Sequence, residues 1–142
     1  MDTHRFSLND LSTQAPWFIP RLIKVYSHLT ERSAATWLRN VMDQSDTLFL
    51  AGDKGLSCTS LVHPDTFSPK AVIQERFTWV ADPADKDQVK DALAFYDAAY
   101  RWGQGLGVNV FLLCEYSDVP AEVLRERFKR VLTRQQSFLR VS

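Results

Sequence analysis

Three glycines in one short stretch, RWGQGLGVNVFLLCEY at residues 101–116, are the first place to look for chemistry. Gly103, Gly105 and Gly107 have the look of a loop that cradles phosphates. Glycine serves an anion only where its backbone N–H groups open the N-terminus of a following helix, so that amide donors and the helix dipole converge on the charge. Here the residues that follow are Val108 to Cys114, VNVFLLC, an apolar run rich in β-formers that reads as a buried strand. The glycines are therefore expected after a helix, as its C-terminal stop, where glycine accepts the left-handed conformation that other residues resist. Cys58 and Cys114 fall in strand-like runs without CxxC spacing, and three histidines add little, so two reduced, buried thiols and no metal site are expected. His63, just before Pro64 in a loop, reads as a surface residue.

At 142 residues and 45% hydrophobic, the chain has the length and apolar content of one domain spanning 1–142. Seventeen basic residues balance seventeen acidic ones, which argues against nucleic acid or an anionic membrane as the main partner. The charge is uneven: from Ala121 onward, Arg125, Arg127, Lys129, Arg130, Arg134 and Arg140 face only Glu122 and Glu126. On a helix such a run is a solvated face laced with i,i+4 pairs or, alternatively, a surface for an anion or a partner. Nucleic acid ranks lowest among these, because acids interrupt the face and no exposed aromatics interleave with it. MDTHRFSLND lacks an apolar core of signal-peptide length, and no apolar run of about eighteen residues occurs. A soluble, cytoplasmic protein is the expectation.

The elements that must position any site follow from periodicity. His4 to Leu8 reads as a short strand, and polar Asn9 to Gln14 as a turn. From Pro16, Ile19, Leu22, Ile23, Tyr26 and Leu29 recur at spacings of three and four and give an amphipathic helix. Ser33 reads as the N-cap of a second helix through Trp37, Leu38 and Val41. TLFLA at Thr47 to Ala51 and LSCTSLV at Leu56 to Val62 flank GDKG and make a hairpin. AVIQERFTWVA, Ala71 to Ala81, is a long strand; Asp82 and Pro83 end it and open a helix whose apolar face is Val89, Ala92, Leu93, Tyr96, Ala99 and Tyr100. The Val108 strand, a basic helix from Ala121 to about Thr133 and a last strand, Ser137 to Val141, complete the order β-α-α-β-β-β-α-β-α-β. A strand, a crossover helix and a strand from Ala71 to Cys114 form a right-handed βαβ unit, hence one parallel pair in a mixed, mainly antiparallel sheet flanked by helices. The tryptophans Trp17, Trp37, Trp79 and Trp102 all fall on such elements, where core packing accounts for them.

That order over nearly the whole chain resembles the Gcn5-related N-acetyltransferase (GNAT) fold, and more particularly its small, divergent phage-type members. FTWVADP at Phe77 to Pro83 resembles the family's central strand and its end, AYRWGQGLGVNVFLL the end of the coenzyme-binding helix and the next strand, and EVLRERFKRVL its last helix. The resemblance implies acetyl-CoA or another acyl-CoA as donor, an amine as acceptor and no metal. It implies that Trp79, Val80 and Ala81 align the pantetheine arm and that ADKDQVKDA, Ala84 to Ala92, stands where the pyrophosphate loop belongs, with Lys86 and Gln88 as its polar contacts. That loop departs from the family pattern: it has no glycine and carries Asp85, Asp87 and Asp91. For the chemistry, the resemblance makes Glu75 on the central strand the general base. Phe128 stands where the family's acid is expected and cannot give a proton, so Tyr116 is the substitute candidate. Two functions stay open on these residues. One is a working N-acyltransferase; the other is a non-catalytic binding or structural protein on the same fold, with a protein partner, in a virion or in a host cytoplasm.

Overall fold

The computed structural model describes residues 3–63, 71–108, 110–114 and 117–127. Helix α1, Leu8–Val25, begins earlier than periodicity predicts, and its start is fixed by a capping box. The Ser7 hydroxyl accepts from the Asp10 N–H at 3.5 Å, and the Asp10 carboxylate accepts the Ser7 N–H at 2.9 Å. Asn9 to Gln14 is thus helix rather than turn; Ser-x-x-Asp was the local signal for it. Gln14 is buried, and its Nε2 donates to the Gly52 carbonyl at 2.8 Å, which ties α1 to the β-hairpin. Pro16 and Pro20 lie inside α1. Helix α2, Glu31–Met42, likewise starts early, capped by Thr30, with Ser33 as the third helical residue of the box rather than its cap.

The strands β1 (His4–Arg5), β2 (Thr47–Gly52), β3 (Gly55–Val62), β4 (Val72–Val80) and β5 (Phe111–Leu112) form a sheet in the order β1-β2-β3-β4-β5. The first three pairings are antiparallel, and β4 meets β5 in parallel, with Ile73 opposite Phe111 and Gln74 opposite Leu112. This is the mixed sheet that the βαβ pattern requires. Between β4 and β5 run α3 (Lys86–Asp91) and α4 (Leu93–Gly105), joined at Ala92, whose N–H still donates to the Gln88 carbonyl at 3.1 Å. Helix α5, Ala121–Arg127, is the described part of the basic helix; its expected continuation to Thr133, the position of Phe128 and the last strand lie outside the described residues.

The glycines of the opening stretch divide their roles. Gly103 and Gly105 lie within α4, not after it. A Cβ at Gly103 would come within 2.9 Å of Ile73 Cγ1, so its lack of a side chain lets α4 sit close against β4. Only Gly107, at φ +75°, has the left-handed conformation of a helix stop. The sheet carries a core on each face. One packs Phe18 and Leu22 of α1 and Leu38 of α2 on Phe77 and Trp79; the other packs Phe95 and Ala99 of α4 on Ile73, Val80 and Phe111.

Candidate active site at the open edge of the central strand

One irregularity in β4 decides which side chains can meet. Opposite β3, Cys58 pairs with Phe77 and Thr59 pairs with Glu75, so Arg76 is an extra residue, a β-bulge. In a regular strand, side chains three apart point to opposite faces. The bulge resets the alternation, so Glu75 and Thr78 share the α4 face while Phe77 and Trp79 go to the other.

Glu75 is 1% exposed, and both of its carboxylate oxygens are engaged. Thr78 Oγ1 donates to Oε2 at 2.5 Å, the Tyr96 hydroxyl donates to the same oxygen, and the Cys114 N–H donates to Oε1 at 2.9 Å. Tyr96 Oη lies 2.5 Å from Ser117 Oγ, and Ser57 Oγ lies 3.1 Å from Thr78 Oγ1. None of these partners is a cation. Burial therefore pushes the Glu75 carboxyl above its ordinary range, although hydrogen bonds from Thr78, Tyr96, Cys114 and Ser117 pull the other way. Burial, and then the neighbouring Glu75 charge, push the Tyr96 phenol well above its usual value. The result is a buried proton-sharing chain, Glu75 to Tyr96 to Ser117, whose outer member is only partly buried.

Among the described residues, Gln74 opposite Leu112 is the last pair between the two parallel strands, and farther along the same edge β4 is met by Asp118. The Asp118 N–H donates to the Thr78 carbonyl at 2.9 Å, and the Val80 N–H donates to Asp118 Oδ2 at 2.9 Å. Arg21 of α1 grips the same carboxylate in a fork: Nη1 donates to Oδ2 at 2.6 Å, and Nη2 donates to Oδ1. Its guanidinium also lies 4.6 Å over the Trp79 ring.

The loop after β4 is built from aspartates. Asp85, not Asp82, caps α3: its carboxylate accepts the N–H groups of Asp87 at 2.9 Å and Gln88 at 3.4 Å. Asp82 Oδ1 takes the Ala84 N–H at 3.1 Å, while Gln88 Oε1 takes the Asp82 N–H at 2.8 Å. Asp53, Lys54, Asp85, Asp87, Gln88 and Asp91 line a cleft of about 270 Å³.

The expected site residues thus fall into two places. Glu75 and the Val80 backbone belong to the central strand, one holding the proton chain and the other the edge that Asp118 covers. Trp79 is fully buried in the opposite core, and the Ala81 N–H, just past the end of β4, donates to the Lys54 carbonyl in the hairpin turn at 2.9 Å. Exposed Lys86 and the internally bonded Gln88 sit on the aspartate loop. Tyr116 lies outside the described residues. Sequence reading missed Tyr96, Thr78, Ser117, Asp118 and Arg21. Tyr96 was placed as one member of an apolar stripe, and no local signal sets it opposite Glu75.

Comparison with known proteins adds a fold. No protein-family model matches the sequence, and no curated protein matches it. Among solved structures, the chain is similar to an aminoglycoside antibiotic 6'-N-acetyltransferase, AAC(6')-Ig, from Acinetobacter haemolyticus in its apo form. The TM-score is 0.59 at 14% identity, over 93% of this chain and 89% of that one. The fold is GNAT-like. At the edge of β4, where an extended pantetheine arm would lie in a GNAT-like chain, the Thr78 C=O and the Val80 N–H are both held by Asp118, so an arm fits there only in its place. The aspartate loop does not fit a diphosphate: the Ala84, Asp87 and Gln88 amides are already taken by carboxylates, and the cleft beside them is acidic. Among the described residues, no helix is long and apolar enough to cross a membrane, and no cluster of three or more His, Cys, Asp or Glu could hold a metal ion.

Proposed function

We propose that this chain is an N-acyltransferase that moves an acyl group from acyl-CoA to an amine and holds its donor by the pantetheine arm rather than by the diphosphate. The observation that carries the reading is that, among the described residues, β4 pairs with β5 only at Ile73 and Gln74 and at Val80 meets a side-chain carboxylate instead of a strand carbonyl, on the same strand that holds the buried Glu75–Tyr96 pair. Acyl-CoA supplies the thioester carbonyl that the amine attacks. The chain supplies the base. A carboxyl raised above the ordinary carboxylate range is a stronger proton acceptor near neutral pH than an exposed one. A proton arriving at Ser117 Oγ passes through Tyr96 Oη to Glu75 Oε2, and Thr78 Oγ1 and the Cys114 N–H hold the carboxylate in place. Tyr116, next to Ser117 in the chain, is the proposed acid for the leaving thiolate.

A second reading, a non-catalytic binding or structural protein on the GNAT-like fold, is favoured by one observation: carboxylates already satisfy the amides where a diphosphate would dock. Calorimetric titration with acetyl-CoA and with S-acetylpantetheine separates the two. Donor binding through the arm gives dissociation constants within about threefold of each other, since about 0.6 kcal/mol separates them. Glu75→Gln then leaves binding in place and lowers transfer by about 10²-fold or more. No heat from either donor at millimolar concentration leaves the second reading standing.

A further inference from the structure

We infer that Asp118 is a built-in occupant of the gap beside β4, a latch fastened by Arg21 that an incoming arm must displace. The inference rests on the acyltransferase reading, because it concerns the same gap. A parallel neighbour strand would serve the Thr78 carbonyl and the Val80 N–H from a single residue, giving its N–H to one and its C=O to the other. Asp118 reproduces that pattern with one substitution. Its backbone N–H serves Thr78, but its side-chain carboxylate serves Val80 in place of a carbonyl.

The substitution changes what opening requires. A paired strand opens only by losing backbone pairing along its length, whereas a carboxylate leaves Val80 by rotation about its own side-chain bonds. The contact is nevertheless well held. An ionised acceptor makes a stronger hydrogen bond than a neutral carbonyl. Arg21 grips it in a fork, and the Asp118 side chain is 8% exposed against 30% for Arg21. Arg21 is itself braced over Trp79, so α1, on one face of the sheet, fastens a segment whose Ser117 serves the proton chain on the other. An extended arm bearing a secondary amide supplies a neutral acceptor for the Val80 N–H and a donor for the Thr78 carbonyl, and it competes with Asp118 for both. The apparent affinity for such a donor is the intrinsic affinity multiplied by the fraction of molecules with the latch open.

The test measures amide hydrogen exchange at Val80 and donor titration on the full chain, in the wild type, Asp118→Ala and Arg21→Gln. Expected is Val80 exchange about tenfold faster or more in both variants, with acetyl-CoA and S-acetylpantetheine binding about tenfold tighter, the gain for a latch closed about nine-tenths of the time. Equal donor affinity in all three proteins overturns the latch and leaves the acyltransferase reading intact. Binding to none of the three overturns the reading and the latch with it. Unchanged Val80 exchange in both variants also overturns the latch. Should Asp118→Ala not fold, Arg21→Gln decides, since it removes the clamp and keeps the carboxylate.

Discussion

The two faces of the sheet are built on different terms. Toward α1 and α2 the surface of β4 is aromatic and dry: Phe77 stacks on Trp79 with ring centroids 4.5 Å apart, and Phe18 closes over both at 5.6 and 5.7 Å. Toward α4 the same strand buries Glu75, Thr78 and, through its neighbour β3, Ser57. One face contributes stability mainly by apolar burial. The other encloses polar groups that cost free energy unless every partner is in place, which is why such networks mark places where something other than stability is selected. The bulge at Arg76 is the device that separates them, because it lets one strand send Glu75 and Thr78 to the same side. Four measurements test the contrast.

The largest effect belongs to the dry face. Phe77→Ala is expected to lower unfolding free energy by about 3–5 kcal/mol in urea denaturation, and a cost below about 1 kcal/mol would show that this core collapses around the gap. Next comes Tyr96→Phe, which takes one donor from the buried carboxylate and costs about 1–3 kcal/mol. It also drives the Glu75 carboxyl still higher, since the Tyr96 hydrogen bond is one of the groups holding it down.

The third measurement is the pH dependence of stability. Because the folded protein holds the Glu75 proton more tightly than the unfolded chain does, this group favours folding at low pH, and its contribution is lost as pH rises from the ordinary carboxylate value through the raised one. Denaturation of the wild type from about pH 4 to 8 should show a decline of up to about 1.4 kcal/mol per pH unit from this group, and Glu75→Gln should lack it. Equal slopes in the two proteins would mean the carboxyl is not the buried acid described. The buried Cys58 thiol, pushed up to about 12 by burial, adds a decline of the same sign only at alkaline pH. The smallest effect is at the aspartate loop: Asp85→Ala removes the cap of α3 and costs about 1 kcal/mol, read by thermal unfolding.

How much of this was legible varies with the range over which the cause acts. The hairpin, the long central strand and the crossover helix are written in local periodicity; the strands formed within a residue or two of their expected spans, whereas the crossover formed as two helices, starting at Lys86 and ending at Gly105. The early starts of α1 and α2 were also local, in Ser7–Asp10 and Thr30–Ser33, but the polar run Asn9 to Gln14 hid the first of them. Gly103 and Gly107 have the same residue type and opposite duties, one spared a clash with Ile73 and the other turned left-handed. Nothing in the neighbouring sequence distinguishes them.

By itself the sequence determined the alternation of elements, the single parallel pair and the fold class, because hydrophobic period and turn chemistry act over a few residues. It also determined that Glu75 would lie on the central strand and that aspartates would occupy the loop after it. Only the tertiary structure decided that Glu75 faces Tyr96 and that Asp118 closes the edge of β4. The first depends on a one-residue bulge whose position is set by the register against β3. The second depends on a bond between Arg21 and Asp118, residues 97 positions apart, which meet only because the sheet places α1 beside the segment that follows β5. Local pattern fixes which face a residue prefers within its own element, and the packing of elements fixes what it meets there.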